Sequence, residues 1–275
     1  EIEARYGSLV RGLRALRPPP RAGGAPPAAF YSLRGGLVEM VDALVARLPA
    51  ERLALRAPVA AVERVEAGYV LRADGITLRA RSVIVTAPGH QAAGLLAGLA
   101  PVTARFLDGI PFASTATVSL AYRREDVAHP LDGYGFVVPA SEGLRTTALT
   151  FSSTKFPHRA PTGTILLRAF LGGVRDGGVL ELADDELVAL VAREMGGLVG
   201  LRAQPLFARV CRWPQGTPQM EVGHLDRLAE AEQELRGVPG LLVAGGGVRS
   251  TGIPDMIGDG RQAAEAALAQ LAGAR

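Results

Sequence analysis

The sequence predicts a mixed α/β (α+β) protein, in which an α/β body is interrupted by a mostly antiparallel stretch of sheet and helix. Three observations predict it. Two apolar runs of strand length, Ser82-Val83-Ile84-Val85-Thr86-Ala87 and Leu241-Leu242-Val243-Ala244, end in Pro88-Gly89 and Gly245-Gly246-Gly247 and lead into helices. Such runs suit strands covered on both faces. Between them the chain is strand-rich over 115–122, 135–138, 146–151 and 165–171. Apolar stripes at helical spacing flank both parts. The 275 residues suffice for one large domain or two small ones, and 48% apolar against 21% charged residues marks a globular chain.

Taken in order, Tyr6, Leu9, Val10, Leu13 and Leu16 recur at helical spacing with Arg5, Arg11, Arg14 and Arg17 interleaved. This helix packs on its own domain or lies on an anionic membrane surface. Pro18-Pro19-Pro20 stops it, and residues 21–29 form a Gly/Pro/Ala linker. Leu37, Met40, Val41, Leu44, Val45 and Leu48 give the next helix one apolar stripe. Residues 60–65, 69–73 and 76–80 read as short strands with turns at Ala67-Gly68 and Asp74-Gly75, and 92–99 as a short helix. Asp184-Asp185-Glu186 loads negative charge onto the first turn of a helix carrying Leu187, Leu190, Val191 and Leu198, so these carboxylates read as caps and not as an acid/base pair. A strand over 205–213, with Trp213 as a core or rim residue, precedes a polar helix near 225–235. After the glycine triplet a loop spans 248–257, and Gly258-Asp259-Gly260-Arg261 opens the last helix, through Ala263, Ala264, Ala267 and Leu268.

Composition excludes several chemistries. Thirty basic and 27 acidic residues leave a net charge of +3, too little for a nucleic-acid footprint, which needs basic residues clustered on one face. Lys155 is the only lysine and lacks flanking glycines, so no GxxxxGK phosphate loop exists. Cys211 is the sole cysteine, which leaves no internal disulfide framework or cysteine-based zinc site and fits a reducing compartment. His90, His129, His158 and His224 lie far apart, and no metal centre is expected. No run of about 18 apolar residues could span a membrane, and no signal peptide opens the chain. The chain starts inside a helix and reads as part of a longer protein.

Two short motifs match in letters only. Gly258-x-Gly260-x-x-Ala263 lacks the strand that must run directly into a dinucleotide fingerprint. Ser152-x-x-Lys155 copies a penicillin-binding nucleophile motif without its second lysine, and Phe156-Pro157 forbids a long helix there. The wider pattern is more informative: apolar strand, glycine triplet, Gly252-Ile253-Pro254-Asp255, then a helix. Glycines let backbone approach a ligand closely, and the unpaired N–H groups of a helix start attract an anion. A flavin dinucleotide offers a ring edge and a pyrophosphate to such a loop. An ordinary glycine-rich crossover has the same pattern.

The chain resembles the C-terminal part of the protoporphyrinogen/coproporphyrinogen oxidase family, within the amine-oxidase group of flavoproteins. The matching stretches are Phe30-x-Ser32-Leu33-x-Gly35-Gly36-Leu37, Pro58-Val59 with Val83-Ile84-Val85-Thr86-Ala87-Pro88, Gly133-Tyr134-Gly135-Phe136-Val137-Val138-Pro139, Ser152-Ser153 to Phe156-Pro157, Leu171-Gly172-Gly173, Gly223-His224, and Gly252-Ile253-Pro254-Asp255 through Gly260-Arg261-Gln262-Ala263-Ala264. They follow the family order over nearly the whole chain.

The resemblance implies FAD as cofactor, coproporphyrinogen III or protoporphyrinogen IX as substrate, and O2 as the usual electron acceptor. It further implies a cytoplasmic enzyme, with a peripheral contact at the inner face of the cell membrane and a homodimer among its associations; no nucleic-acid partner is expected. Residues 30–89 and 226–275 would form parts of the FAD-binding domain and 90–225 the substrate domain, with 1–29 the end of a membrane-associated helical segment. By the same resemblance Val59, Leu225, Gly246, Gly252, Ile253 and Pro254 fall at cofactor-contacting positions, and Tyr134, Gly135, Val137 and Leu171 wall the substrate slot. The sequence departs from the family at Leu225, where some members carry an aromatic residue, which puts ring stacking there in doubt. The N-terminal strand–GxGxxG–helix unit and the basic anchor for the substrate's propionates are absent from these 275 residues, so they are expected to hold FAD poorly alone and to have little activity. A desaturase or amine oxidase of the same group, or a non-catalytic remnant binding a membrane or partner through residues 1–17, stand as the other readings.

Overall fold

A computed structural model of the chain describes residues 2–16 and 30–273. The Pro18-Pro19-Pro20 stop and the 21–29 linker lie outside the described residues. The chain divides into two compact units, residues 1–45 and 46–275.

In the first unit the single helix expected through Tyr6 and Leu16 is two, α1 (Ile2–Tyr6) and α2 (Leu9–Ala15). Gly7 adopts φ 67° and ends the first, and the Ser8 hydroxyl accepts the Arg11 N–H to start the second. Gly12 lets the two pack tightly, since a Cβ there would run into Ile2. Further on, α3 (Val38–Val45) has its Gly35 approach closed by Glu39, whose carboxylate accepts the Gly35 N–H. Its expected apolar stripe stays exposed at Leu37, Val41, Leu44 and Val45.

The second unit opens with an antiparallel meander, β1 (Val59–Val65), β2 (Gly68–Ala73) and β3 (Ile76–Ala80). Then come β4 (Val83–Val85), α4 (Gly89–Leu96) and α5 (Pro101–Asp108). The chain leaves along β5 (Phe112–Arg123), β6 (Gly135–Val137), β7 (Thr146–Phe151), the short α6 (Ser152–Lys155), β8 (Thr164–Gly172), α7 (Asp184–Val199) and β9 (Phe207–Pro218). It returns through α8 (His224–Arg236), β10 (Leu241–Val243) and α9 (Ile253–Gly273). None of the described helices is long and apolar enough to cross a membrane.

Two hydrophobic cores result. The first gathers Val62 and Tyr69 of the meander, Val83 and Val85 of β4, the helices α4, α5 and α8, and Leu241 and Val243 of β10. β4 and β10 pair in parallel, Val83 with Leu241 through Val85 with Val243. Both strands were expected to be covered on both faces. One face is buried, but Ile84 is exposed and Leu242 only half-buried. The residues of α9 nearest that second face include Ala263 and Ala266, too small to fill it, and a recess of about 330 Å³ remains over Leu242. The expected opening of the last helix at Gly258 is corrected as well: α9 begins at Ile253. Pro254 fits its first turn, where an N–H is not needed, and Met256 N–H closes onto the Gly252 carbonyl at 2.9 Å.

The second core lies between an antiparallel sheet of order β6-β7-β8-β5-β9 and α7. Along β5 the residues Ala116, Val118, Leu120 and Tyr122 are buried, while Thr115, Thr117 and Ser119 alternate with them toward the opposite face. The acidic start of α7 acts as its spacing suggests. Glu186 accepts the Ala183 N–H at 2.8 Å, and Asp184 pairs with Arg212.

A half-buried carboxylate ties two helices of the first core. Glu234, on α8, accepts the Val102 and Thr103 N–H groups at 2.9 and 2.7 Å, capping α5 from outside. Burial pushes this carboxyl up, but the N–H donors of Thr103 and Val102 and the Thr103 hydroxyl outweigh it, and its pKa is lowered. A lowered folded-state pKa contributes stability above the unfolded value and loses it as pH falls through the folded one. Glu234→Gln should therefore cost about 1–2 kcal/mol near neutral pH. The gap between variant and parent, read from denaturant melts, should close below the normal carboxylate range.

Candidate functional site

β4 and β10 end side by side, and the carboxyl ends of parallel strands are where open α/β sheets take ligands. From Val85 the chain passes through Pro88 into α4, and from Val243 through the glycine triplet toward α9. Gly245 and Gly247 take φ 119° and 89°, conformations that only glycine adopts at little cost. Each glycine also lies where a side chain would crowd a neighbour. A Cβ at Gly245 would sit 3.3 Å from the Thr86 carbonyl, at Gly246 3.1 Å from the Met256 sulfur, and at Gly247 2.7 Å from Pro218.

This turn is held from three sides. Gly245 N–H donates to Asp259 Oδ2 at 2.9 Å, and Gly247 N–H to the Ser250 carbonyl at 2.9 Å. Arg249 donates to Asp259 Oδ1 at 2.9 Å, to the Val243 carbonyl at 3.0 Å and to Glu232. Finally His224, buried at the start of α8 after Gly223 at φ 81°, brings Nε2 to 2.8 Å from the Val248 carbonyl. A carbonyl only accepts, so Nε2 carries the proton. The His224 ring packs on Phe106 with centroids 5.2 Å apart. Near the same end, on the first turn of α4, His90 sets its ring edge-on to Phe112, and its buried Nδ1 has no hydrogen-bond partner among the described residues.

The second part is the sheet face turned away from α7. A recess of about 700 Å³ opens there, lined by Thr115 and Thr117 of β5, Val137 of β6, Phe170 of β8, Trp213 of β9 and Arg175, with no acidic residue on its wall. One end of its lining is Gly216-Thr217. Pro218, the next residue, is the one that Gly247 packs against. The glycine turn and the recess are thus joined where Gly247 packs on the Pro218 ring.

The structure distributes the sequence-predicted residues as follows. Gly246, Ile253 and Pro254 are exposed around the glycine turn and the start of α9, with Gly252 half-buried between them. Leu225 is exposed beside His224 on α8, and Val59 begins β1, 38% exposed and paired with Ala73. Val137 projects from the edge strand β6 opposite Ala148 and lines the recess. Tyr134 accepts the Phe151 N–H at 3.0 Å on the approach to β6, and Gly135, at φ 132°, lies so close to the Leu149 carbonyl that no side chain would fit. Leu171 borders the recess, but its side chain is buried in the second core. Missed from the sequence were Thr115, Thr117, Phe170 and Trp213. The signal was present in β5 as small hydroxyl residues alternating with Ala116, Val118 and Leu120. Also missed was His224 as the clamp on the glycine turn.

A family model described as flavin containing amine oxidoreductase matches residues 2–268. The chain is 31% identical to the coproporphyrinogen III oxidase of Bacillus subtilis, over 98% of this chain and 58% of that protein. It is 36% identical to the coproporphyrinogen III oxidase of Propionibacterium freudenreichii, over 89% and 46%. To the chloroplastic protoporphyrinogen oxidase 1 of Arabidopsis thaliana it is 34% identical, over 78% and 42%. The chain spans about half the length of these relatives. A crystal structure from Exiguobacterium sp., proposed to be a protoporphyrinogen oxidase, superposes with a TM-score of 0.80 at 28% identity, over 98% of this chain and 56% of that one. The cyclohexylamine oxidase of Brevibacterium oxydans shares the fold, at a TM-score of 0.67 and 17% identity over 86% of this chain and 53% of that one.

Asp259→Ala should leave the Gly245 N–H and the Arg249 guanidinium short of a partner, at about 1–3 kcal/mol. Hydrogen exchange should then quicken at Gly245 and Gly247 while β5 and β8 keep their protection. Equal exchange at the glycines would mean that Asp259 does not hold the turn.

Proposed function

The chain belongs to the family of flavin containing amine oxidoreductases, and from that premise we propose that it supplies the flavin-facing loop and the substrate face of a porphyrinogen oxidase. In this reading FAD is the cofactor, coproporphyrinogen III or protoporphyrinogen IX the substrate, and O2 the acceptor. One observation carries it above the others: the glycine turn packs directly on Pro218, where the recess lining of β9 ends. A flat cofactor on the turn and a large apolar ring on the sheet would then be neighbours.

The residues present fit a flavin. Gly245 and Gly247 pack against Thr86 and Pro218 and shape the turn, Gly246 is exposed on it, and the buried Nδ1 of His90 awaits a polar group. The first turn of α9 offers N–H groups to a phosphate or ring oxygen. When bound, the flavin accepts hydride from the reduced macrocycle; it supplies the redox chemistry, and the protein supplies binding and orientation. Gly252, Ile253 and Pro254 would lie along the cofactor. Phe170, Val137 and Trp213 would cover the tetrapyrrole and keep water from it, which suits a slot with few polar anchors. No acidic group lines the recess, so no carboxylate there acts as acid or base.

The parallel pair β4–β10 offers only part of a dinucleotide-binding sheet, and the strand–GxGxxG–helix unit is not in these residues. We therefore read the chain as retaining FAD weakly by itself. The relatives' names favour coproporphyrinogen or protoporphyrinogen over an amine.

The test is to give the chain, kept in excess free FAD, each porphyrinogen in air and follow residual porphyrin fluorescence and O2 uptake above a protein-free control, with a primary amine as competitor chemistry. Porphyrin should form from one or both tetrapyrroles, and Phe170→Ala should lower kcat/KM about tenfold. Turnover of the amine alone would overturn the reading. Residues 1–275 passed over a sizing column with FAD should emerge with less than one flavin per chain, and stoichiometric retention would refute the weak binding.

A further inference from the structure

We infer that Arg168 and Arg209 form a carboxylate clamp on the open sheet face, holding propionates of the porphyrinogen and favouring the macrocycle that carries more of them. The inference rests on the porphyrinogen reading above.

Ser119, in the central strand β5, pairs with Arg168 on β8 and with Arg209 on β9. Directly paired residues share a face, so the two arginines flank one serine on the same side of the sheet. That side is the recess side. Leu167 and Ala169, the neighbours of Arg168 in β8, are buried against α7, and so is Val118, which pairs with Val210. The Cα atoms are two strand spacings apart, about 10 Å, and one row of side chains beyond Phe170 and Thr117, about 7 Å along the strands. The clamp therefore borders the recess on the side away from Gly172 and Trp213. Arg175 lines the recess at that opposite side and donates to the Val138 carbonyl at 3.3 Å.

Charge singles these arginines out. None of the residues of β5, β6, β7, β8 and β9 is acidic, while four are arginine: Arg123, Arg168, Arg209 and Arg212. Arg212 faces α7 and is satisfied by Asp184 and the Leu180 and Leu182 carbonyls. Arg168 and Arg209 are exposed, and neither has a hydrogen-bond or ion-pair partner among the described residues. Elsewhere on this chain of near-balanced charge, Arg72, Arg145 and Arg249 all have carboxylate partners. Two unpaired guanidinium groups on one bare face, beside an apolar recess without a carboxylate, complement an apolar ring with carboxylates on its rim. Coproporphyrinogen III has twice the propionates of protoporphyrinogen IX, which carries vinyls in place of the other two. A face with cations at both ends of its recess suits the former.

The experiment measures binding of oxidised porphyrins to the protein in excess free FAD by the Soret shift, with coproporphyrin III, protoporphyrin IX and coproporphyrin III tetramethyl ester as probes. The parent should bind coproporphyrin more tightly than its ester. Arg168→Gln with Arg209→Gln should weaken coproporphyrin about ten- to a hundredfold, at a tenfold step for each charge-assisted bond of about 1.4 kcal/mol. It should weaken protoporphyrin less and leave the ester unchanged. Arg168→Lys with Arg209→Lys, which keeps the charge and any fold the glutamines disturb, should recover part of the loss. If the parent binds coproporphyrin and the glutamine variant binds it equally, the clamp is wrong and the porphyrinogen reading stands. An equal loss for the ester would also sink it, because the arginines would then act by packing. If the parent in excess free FAD binds none of the three porphyrins, the underlying reading falls and the clamp with it.

Discussion

Close approach of backbone to its neighbours, with no Cβ in the way, is the constraint on which this molecule turns. The glycine turn after β10 can lie against Thr86, Met256 and Pro218 only because Gly245, Gly246 and Gly247 carry no Cβ. Close approach alone would leave the turn loose, since glycine loses more conformational freedom on ordering than any other residue. His224 from α8, Asp259 from α9 and Arg249 from the turn itself remove that freedom through bonds to its backbone. Rigidity at these three glycines is imported from helices far along the chain. The same helices close the first core, so the shape of the turn depends on that core being well packed.

β5 shows how one strand serves two environments. Its alternate residues Val118, Leu120 and Tyr122 fill the core under α7 with Ala116 buried beside them, while Thr115 and Thr117 line the recess and Ser119 lies next to it on the same face. Threonine suits that second role: its branched side chain packs on a pleated surface as valine does, and its hydroxyl tolerates water when the face is empty. Central placement between β8 and β9 lets β5 carry this pattern across the sheet, so the chemistry of the open face is set by register. A slip of one residue would bury the hydroxyls and expose the tyrosine.

Much of this was legible in the sequence, for identifiable reasons. Strands over 146–151 and 165–171 and the helix after Asp184 announced themselves by apolar spacing, because their faces are buried within a single local packing. Glycines at 245–247 marked a tight turn after an apolar strand through composition alone. What stayed hidden depends on residues distant in sequence. The break at Gly7-Ser8 needed the dihedral of one glycine, and the early start of α9 needed Pro254 to be placed in a first turn. The half-open face over Leu242 follows from alanines some 20 positions further on. Trp213 and Phe170 could not be assigned to the recess without pairing, since the face each takes is set by its register with β5. Leu171 illustrates the converse: its neighbourhood is right, but a period of two sends its side chain to the other side of the sheet.

If the open sheet face takes a tetrapyrrole as proposed, its acid-free character bears on turnover as well as on capture. Carboxylates at the rim of a tetrapyrrole keep their charge when the ring loses hydrogen, so an electrostatic hold cannot tell reactant from product. Departure would have to be driven by geometry. A saturated, puckered macrocycle can fold itself to the twist of Thr117 and Phe170, whereas its flat aromatic descendant cannot follow a twisted surface. The curvature of the sheet would then act as the sorting device, and the arginines only as the mooring.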